Sequence, residues 1–251
     1  GIAYHEEAVR MQEAEYAAEV EERRRAFLGM NLAKALLEVG RQHHQQQDPA
    51  VAITHYQRAR SLVEEAIDFR EGGANVQGKA KANARFFLSE ICSGLGVAYN
   101  DVGRSEEALA ALQQALDVRK ELVGANHAAI AECLNNLGAL FFSRGALQKA
   151  VEHYEQALDL LTAAAQGRQE GTYAALTLYN IGLCRSGLGQ MEASVTALKR
   201  ALRIAEQALG SDHAQVELIR ETLRQGPPTA RASQAQQEAG ENASTPIDAK
   251  P

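Results

Sequence analysis

The chain has no tryptophan, only three cysteines and five prolines in 251 residues, and Phe and Tyr supply an aromatic content of just 5%. Each scarcity excludes something. Cys92, Cys133 and Cys184 are widely spaced, with no C-x-x-C pair among them. They read as small buried hydrophobes, and an odd count fits a reducing compartment. Few prolines leave long helices uninterrupted. Short alternating apolar runs are also missing, so strands are not expected. No apolar run approaches the roughly 20 residues that span a bilayer, and no apolar signal segment opens the chain. Membrane insertion is therefore not expected. A net charge of -6 supplies no general basic field, which argues against nucleic acid as a partner. A chain that opens at Gly1 rather than at methionine is expected to have lost residues ahead of it. The expected setting is cytoplasmic, with cytoskeletal association left open.

What is present is an internal repeat. Four stretches align without a gap: VGRQHHQQQDPAVAITHYQRAR from Val39, LGVAYNDVGRSEEALAALQQAL from Leu95, LGALFFSRGALQKAVEHYEQAL from Leu137 and IGLCRSGLGQMEASVTALKRAL from Ile181. Each opens on an aliphatic residue and a glycine. A small residue comes fourteenth (Ala52, Ala108, Ala150, Ser194), a bulky one four later (Tyr56, Leu112, Tyr154, Leu198), and alanine three after that (Ala59, Ala115, Ala157, Ala201). Steps of four and three lie on one face of a helix. The small residues let two backbones approach, and the bulky one fills the space between them. Three blocks turn on glycine at the ninth place (Gly103, Gly145, Gly189), where the left-handed conformation ends a helix cheaply. In the first block Gln47 stands there, and Asp48-Pro49 supplies an N-cap and a favoured first helical residue. One helix pair cannot bury its own apolar face, so such pairs must stack.

This pattern resembles the tetratricopeptide repeat (TPR) over roughly residues 33–225, and the resemblance implies an all-α solenoid, a right-handed superhelix of antiparallel helix pairs. The blocks start 56, 42 and 44 residues apart, longer than the common period of about 34. Such long repeats are similar to those of the kinesin light chain family. The junctions LVGANHAAIAECLNNLG (Leu122–Gly138) and ALGSDHAQV (Ala208–Val216) resemble that family's leucine-glycine-x-(Asp/Asn)-His junction, with Asn126 or Asp212 capping the next helix. No proline follows His127 or His213, and the junction QGRQEGTY lacks the motif.

The ends differ from the middle. Residues 1–32 are expected to form an N-terminal helix that caps or precedes the solenoid. Val9, Tyr16, Val20 and Phe27 lie along it, Arg23-Arg24-Arg25 is a solvated face, and Gly29-Met30-Asn31 marks a break before the first repeat. A short coiled-coil seam is the alternative for this stretch. Residues 71–81 read as a surface loop. Residues 33–225 then hold about four helix pairs, with 212–225 as a closing half repeat. Residues 226–251 turn to Ala, Gln, Ser, Thr, Glu and Pro and read as a disordered tail.

Catalytic chemistry is not visible. There is no nucleophile–base–orienter set, and neither a cofactor nor a metal is expected. His43-His44 and His55 could suggest metal, but His43 takes the place of Tyr99 and Phe141 in later repeats, which points to packing. Gly94-Leu95-Gly96 resembles part of a dinucleotide loop but falls on repeat positions, and Asn242-Ala243-Ser244 matches a glycosylation acceptor with no secretory signal to support it.

The expected function is a non-enzymatic scaffold or adaptor with a protein or peptide partner. The TPR resemblance implies that first helices line an inner groove. It also implies that the residue before each aliphatic-glycine pair contacts a bound peptide's backbone, which carries over here onto Asn136 and Asn180. Asparagine suits that task because it offers both an acceptor and two donors. Neighbouring inner positions include Lys34, Arg41, Asn100, Asn135, Phe142, Tyr179 and Leu183, with Glu90, Val97 and Glu132 among them. A clamp for two carboxylates is incomplete at Gly94, Asn136 and Asn180. An extended segment with apolar anchors fits better. The alternative is an architectural subunit of a large cytoskeletal, ciliary or organellar assembly, held through its outer surface and ends as part of a multi-subunit complex.

Overall fold

The structure is a computed structural model that describes residues 2–18, 22–72, 78–123, 127–165 and 171–226. All the regular structure among them is helical: α1 (Ile2–Ala18), α2 (Glu22–Gln45), α3 (Pro49–Gly72), α4 (Gly78–Asp101), α5 (Ser105–Val123), α6 (His127–Ser143), α7 (Leu147–Ala165), α8 (Thr172–Gly187), α9 (Met191–Leu209) and α10 (Ala214–Gln225). The chain divides into two compact units, Gly1–Leu140 and Phe141–Pro251.

In the first unit α1 packs on α2, α2 on α3, α3 on α4 and α4 on α5. The repeat positions are its core. Val39, Ala52, Ala59, Leu95, Ala108, Leu112 and Ala115 are buried, as is Tyr56 at the bulky place. Here the sequence pattern acquires its mechanism, which is pairing of an early glycine, Gly40 or Gly96, with the bulky residue of the following helix. A methyl group on Gly40 would stand 2.6 Å from Cδ1 of Tyr56, and one on Gly96 would stand 2.6 Å from Cδ2 of Leu112. Side chain and missing side chain are complementary.

The second unit repeats the device. Its core contains Ala150, Tyr154, Ala174, Ala175, Leu178, Ile181, Ala197, Ala201 and Ile204, closed by Val216 and Ile219 of α10. A methyl group on Gly182 would stand 2.7 Å from Cγ of Leu198. Ser194, where the other blocks carry alanine, is fully buried and donates its hydroxyl to the Gly182 carbonyl at 2.7 Å. The small position thus tolerates a polar atom because an acceptor lies opposite.

The turns follow one form. Gly103, Gly145 and Gly189 have φ of 75°, 71° and 76°, and Gln47 holds the same left-handed conformation at 63° without being glycine. The first turn is compensated afterwards: Asp48 Oδ1 accepts from the Val51 amide at 3.3 Å, and Pro49 opens α3.

Five local expectations change. The N-terminal stretch holds two helices, α1 and the start of α2, rather than the one helix expected in residues 1–32. Helix α2 runs through Gly29-Met30-Asn31 without the expected break, because Leu28, Leu32, Ala33, Leu36 and Leu37 carry a buried stripe across it. That burial outweighs the roughly 1 kcal/mol a mid-helix glycine costs. Val9 is buried while Phe27 is 62% exposed, so they do not share one seam. The side chains of Tyr16, Val20 and Arg23-Arg24-Arg25 lie outside the described residues, as do Asn126 and the tail from 227. The expected loop at 71–81 is narrower, since α3 reaches Gly72 and α4 starts at Gly78; residues 73–77 are outside the description. Finally, α10 is capped by His213, whose Nδ1 accepts from the Gln215 amide at 3.2 Å, and not by Asp212.

Gly96→Ala should destabilise the first unit by about 1–3 kcal/mol, because the added methyl meets a buried leucine with no room to retreat. Alanine's helix propensity offsets at most about 1 kcal/mol. Denaturant unfolding checks this. Leu112→Ala in the same chain should recover part of the clash energy, and Gly78→Ala, where nothing lies within 4 Å, should not destabilise. A Gly96→Ala protein of unchanged midpoint would break the proposed complementarity.

Candidate functional site

The first helices of the first unit frame a cleft of about 340 Å³. Arg41 and His44 come from α2, Glu90, Ser93, Gly94 and Val97 from α4, and Glu132 and Asn136 from α6. Tyr56 and Arg119 reach it from second helices. Arg41, Asn136 and the neighbouring Glu90, Val97 and Glu132 are therefore brought together as the repeat positions predict. Lys34, Asn100 and Asn135 lie on the same helices outside this lining, Lys34 exposed and the two asparagines half-buried.

Arg119 was not anticipated, and it organises the cleft floor. Its side chain is 3% exposed, against 53% for its partner Glu132 at 2.9 Å. Nε donates to Ser89 Oγ at 3.2 Å, and a terminal nitrogen donates to the Ala129 carbonyl at 2.7 Å. Ser89 in turn donates to the Phe86 carbonyl at 2.6 Å. The guanidinium carbon lies 5.8 Å from the Phe86 ring centre. A buried guanidinium is tolerable only when its donors are used, and these partners supply acceptors. They also tie α4, α5 and the start of α6 together. A signal was available in the sequence. Four residues after the last alanine of each block stand Val63, Arg119, Leu161 and Ala205, so one repeat has a charge where the others are apolar.

Asn136 is half-buried and donates to Ser93 Oγ at 3.1 Å, which fixes its amide against α4 while its carbonyl oxygen keeps acceptor capacity. At the rim His44 Nε2 lies 2.6 Å from Asp101 Oδ2. Tyr56 forms part of the wall, its phenol pushed up to about 12 chiefly by burial. The lining thus mixes cations, carboxylates and amide groups around a fixed floor. Its groups can hold peptide backbone and polar side chains, while Val97 and the Tyr56 ring offer limited apolar surface.

In the second unit Asn180 and Leu183 are half-buried on α8. Tyr179 and Phe142 pack partly buried against that unit's core, and the Tyr179 hydroxyl lies 3.4 Å from Thr222 Oγ1 of α10. Tyr173 and Leu176 of the same helix are exposed.

The residues with reactive or ligating chemistry are otherwise occupied. All three cysteines are buried and free, with thiols pushed up by burial to about 11 at Cys92 and Cys133 and about 12 at Cys184. Such thiols are poor nucleophiles near neutral pH. His43 stacks on His55, ring centres 5.4 Å apart. Among the described residues no group of three His, Cys, Asp or Glu side chains is placed to hold a metal ion. No helix among them is long and apolar enough to cross a membrane. Gly94-Leu95-Gly96 lies inside α4, where Gly94 faces the Tyr56 ring.

Comparison with known proteins agrees with this geometry. One family model described as tetratricopeptide repeat matches residues 88–163, and another of the same description matches 175–215. Protein KINESIN LIGHT CHAIN-RELATED 2 of Arabidopsis thaliana is 27% identical over 159 residues, which is 62% of this chain and 23% of that protein. The chain thus spans less than a quarter of that curated relative's length. Among solved structures, BtubC (BKLC) from P. vanneervenii is similar with a TM-score of 0.61 at 18% identity, covering 100% of this chain and 94% of that one. A Rap protein complexed with Competence and Sporulation Factor is similar with a TM-score of 0.60 at 15% identity, covering 95% and 56%. At these identities the solved structures speak for the fold.

Proposed function

We propose that the chain is a tetratricopeptide-repeat scaffold with repeats similar to the kinesin light chain type, and that it captures an extended segment of a partner protein in the cleft over α2, α4 and α6. The observation that carries this reading is the fixed polar lining: Arg41, Glu90, Glu132 and Asn136 face one cavity over a buried Arg119. A solvated helix face has no need of a buried guanidinium beneath it. Preorganised donors and acceptors, by contrast, lower the ordering cost of holding a flexible peptide.

Asn136→Ala should weaken partner binding by about 0.5–1.5 kcal/mol, more if a peptide group is left buried without a partner. Arg41→Ala should weaken it as well, and neither change should alter helix content. Co-purification identifies the partner, and titration calorimetry with the wild-type and substituted chains measures the loss. Wild-type affinity in the Arg41→Ala, Asn136→Ala double variant would remove the cleft proposal. A stoichiometric multi-subunit complex indifferent to both changes would instead favour an architectural role.

A further inference from the structure

One carboxylate of the cleft over α2, α4 and α6 has no partner of its own. On the α2 side each basic group already faces a carboxylate: Arg41 lies 3.9 Å from Glu38, and His44 Nε2 lies 2.6 Å from Asp101 Oδ2. On the floor Arg119 serves Glu132, gripping Oε2 at 2.9 Å. Glu90 is left over. It is half-buried in the α4 lining and makes no hydrogen bond or ion pair among the described residues. Lys34 of α2 is exposed and stands outside the lining. A half-buried carboxylate with no cation beside it is costly to keep. The repeat does not require one there, since the same place, six residues before the block glycine, holds Lys34, Glu132 and Leu176 in the other blocks.

Taking the cleft as a segment-binding site, we propose that the captured segment presents a basic side chain, arginine or lysine, to Glu90 with Glu132 beside it. The two carboxylates occupy equivalent places on α4 and α6, and the Asn136–Ser93 hydrogen bond of 3.1 Å joins those helices about one turn further on. Arg119 is a positioning residue. It holds one oxygen of Glu132 from the floor and leaves the other for a ligand. Gly94 follows Glu90 by about one turn, where the equivalent residues are Glu38, Asn136 and Asn180. Its bare backbone leaves the Tyr56 ring as the local wall. A long methylene stem can lie there while its charged end reaches the carboxylates. A guanidinium suits the pair best, because its planar fork offers donors to both at once. An acidic side chain in that place would face Glu90 directly, and like charges across an interface reject a partner.

The test is selection of a phage-displayed library of random peptides on the full chain, followed by titration of the enriched peptides. Enriched sequences should share an arginine or lysine. Their affinity should fall about tenfold or more in Glu90→Gln, the scale of one charge-assisted hydrogen bond, with helix content unchanged. The difference should shrink as salt is raised. Selection on Glu90→Arg should return peptides with Asp or Glu in place of the basic residue. Glu132 is left intact, because its loss would strand the buried Arg119. Enriched peptides that share no basic residue, or that bind wild type and Glu90→Gln equally, overturn the basic anchor. Loss of their binding in the Arg41→Ala, Asn136→Ala double variant would then show that the cleft still captures a segment. Binding that survives the double variant unchanged, or a selection that enriches nothing, removes the cleft reading and the basic anchor with it.

Discussion

Tyr56→Ala is expected to destabilise the first unit by about 3–5 kcal/mol, the range for replacing a large buried aromatic by alanine. The ring is 1% exposed and fills space that two glycines leave open. A methyl on Gly40 of α2 would stand 2.6 Å from Cδ1, and one on Gly94 of α4 would stand 3.2 Å from Cζ. One side chain of α3 therefore spaces two neighbouring helices. Its loss leaves a void that neither glycine can fill, because a glycine has no side chain to swing inward. Tyr56→Phe keeps the ring volume and should cost less than about 1.5 kcal/mol. Equilibrium denaturation of the two variants checks the expectation. Similar losses in both would mean that the hydroxyl, and not the ring, holds the helices.

This arrangement explains why most of the fold was legible in the residues alone. The repeat is written in side-chain size, glycine opposite a bulky residue and alanine at each close approach, and size survives changes of residue type. Ser194 for alanine and Gln47 for glycine break the letter of the pattern but keep its geometry, one through a hydrogen bond to Gly182 and the other through a left-handed backbone. Helix ends were less legible. The Gly29-Met30-Asn31 stretch has the composition of a break, yet tertiary burial of Leu28 and Leu32 overrides it. The cap of α10 fell on His213 because an imidazole nitrogen can accept an amide hydrogen as a carboxylate does.

The site was legible in outline only. Repeat register placed Arg41 and Asn136 on one face, and both line the cleft. Register does not show which neighbours reach an opening, so Lys34, Asn100 and Asn135 could not be separated from them in advance. Arg119 lies outside that register because it enters the cleft from α5, a second helix.

Leu137→Ala and Ile181→Ala should each cost about 2–5 kcal/mol, since each removes a branched aliphatic chain from a filled interior. The two residues open the third and fourth blocks, one in each compact unit, and are 1% and 2% exposed. Beside Ile181, Gly182 already stands at close approach to Leu198, so the backbone there cannot collapse much further into a void, which places the expected loss at Ile181 toward the upper part of the range. Ile181→Val removes a single methylene and should cost only about 0.5–1.5 kcal/mol. Denaturant unfolding should show lower midpoints in both alanine variants, with slopes unchanged if the denatured state is unaffected. A loss below about 1 kcal/mol in Leu137→Ala alone would mean that the wall around it relaxes. The same small loss in both variants would show that the aliphatic-glycine pair is not the packing centre of the repeat.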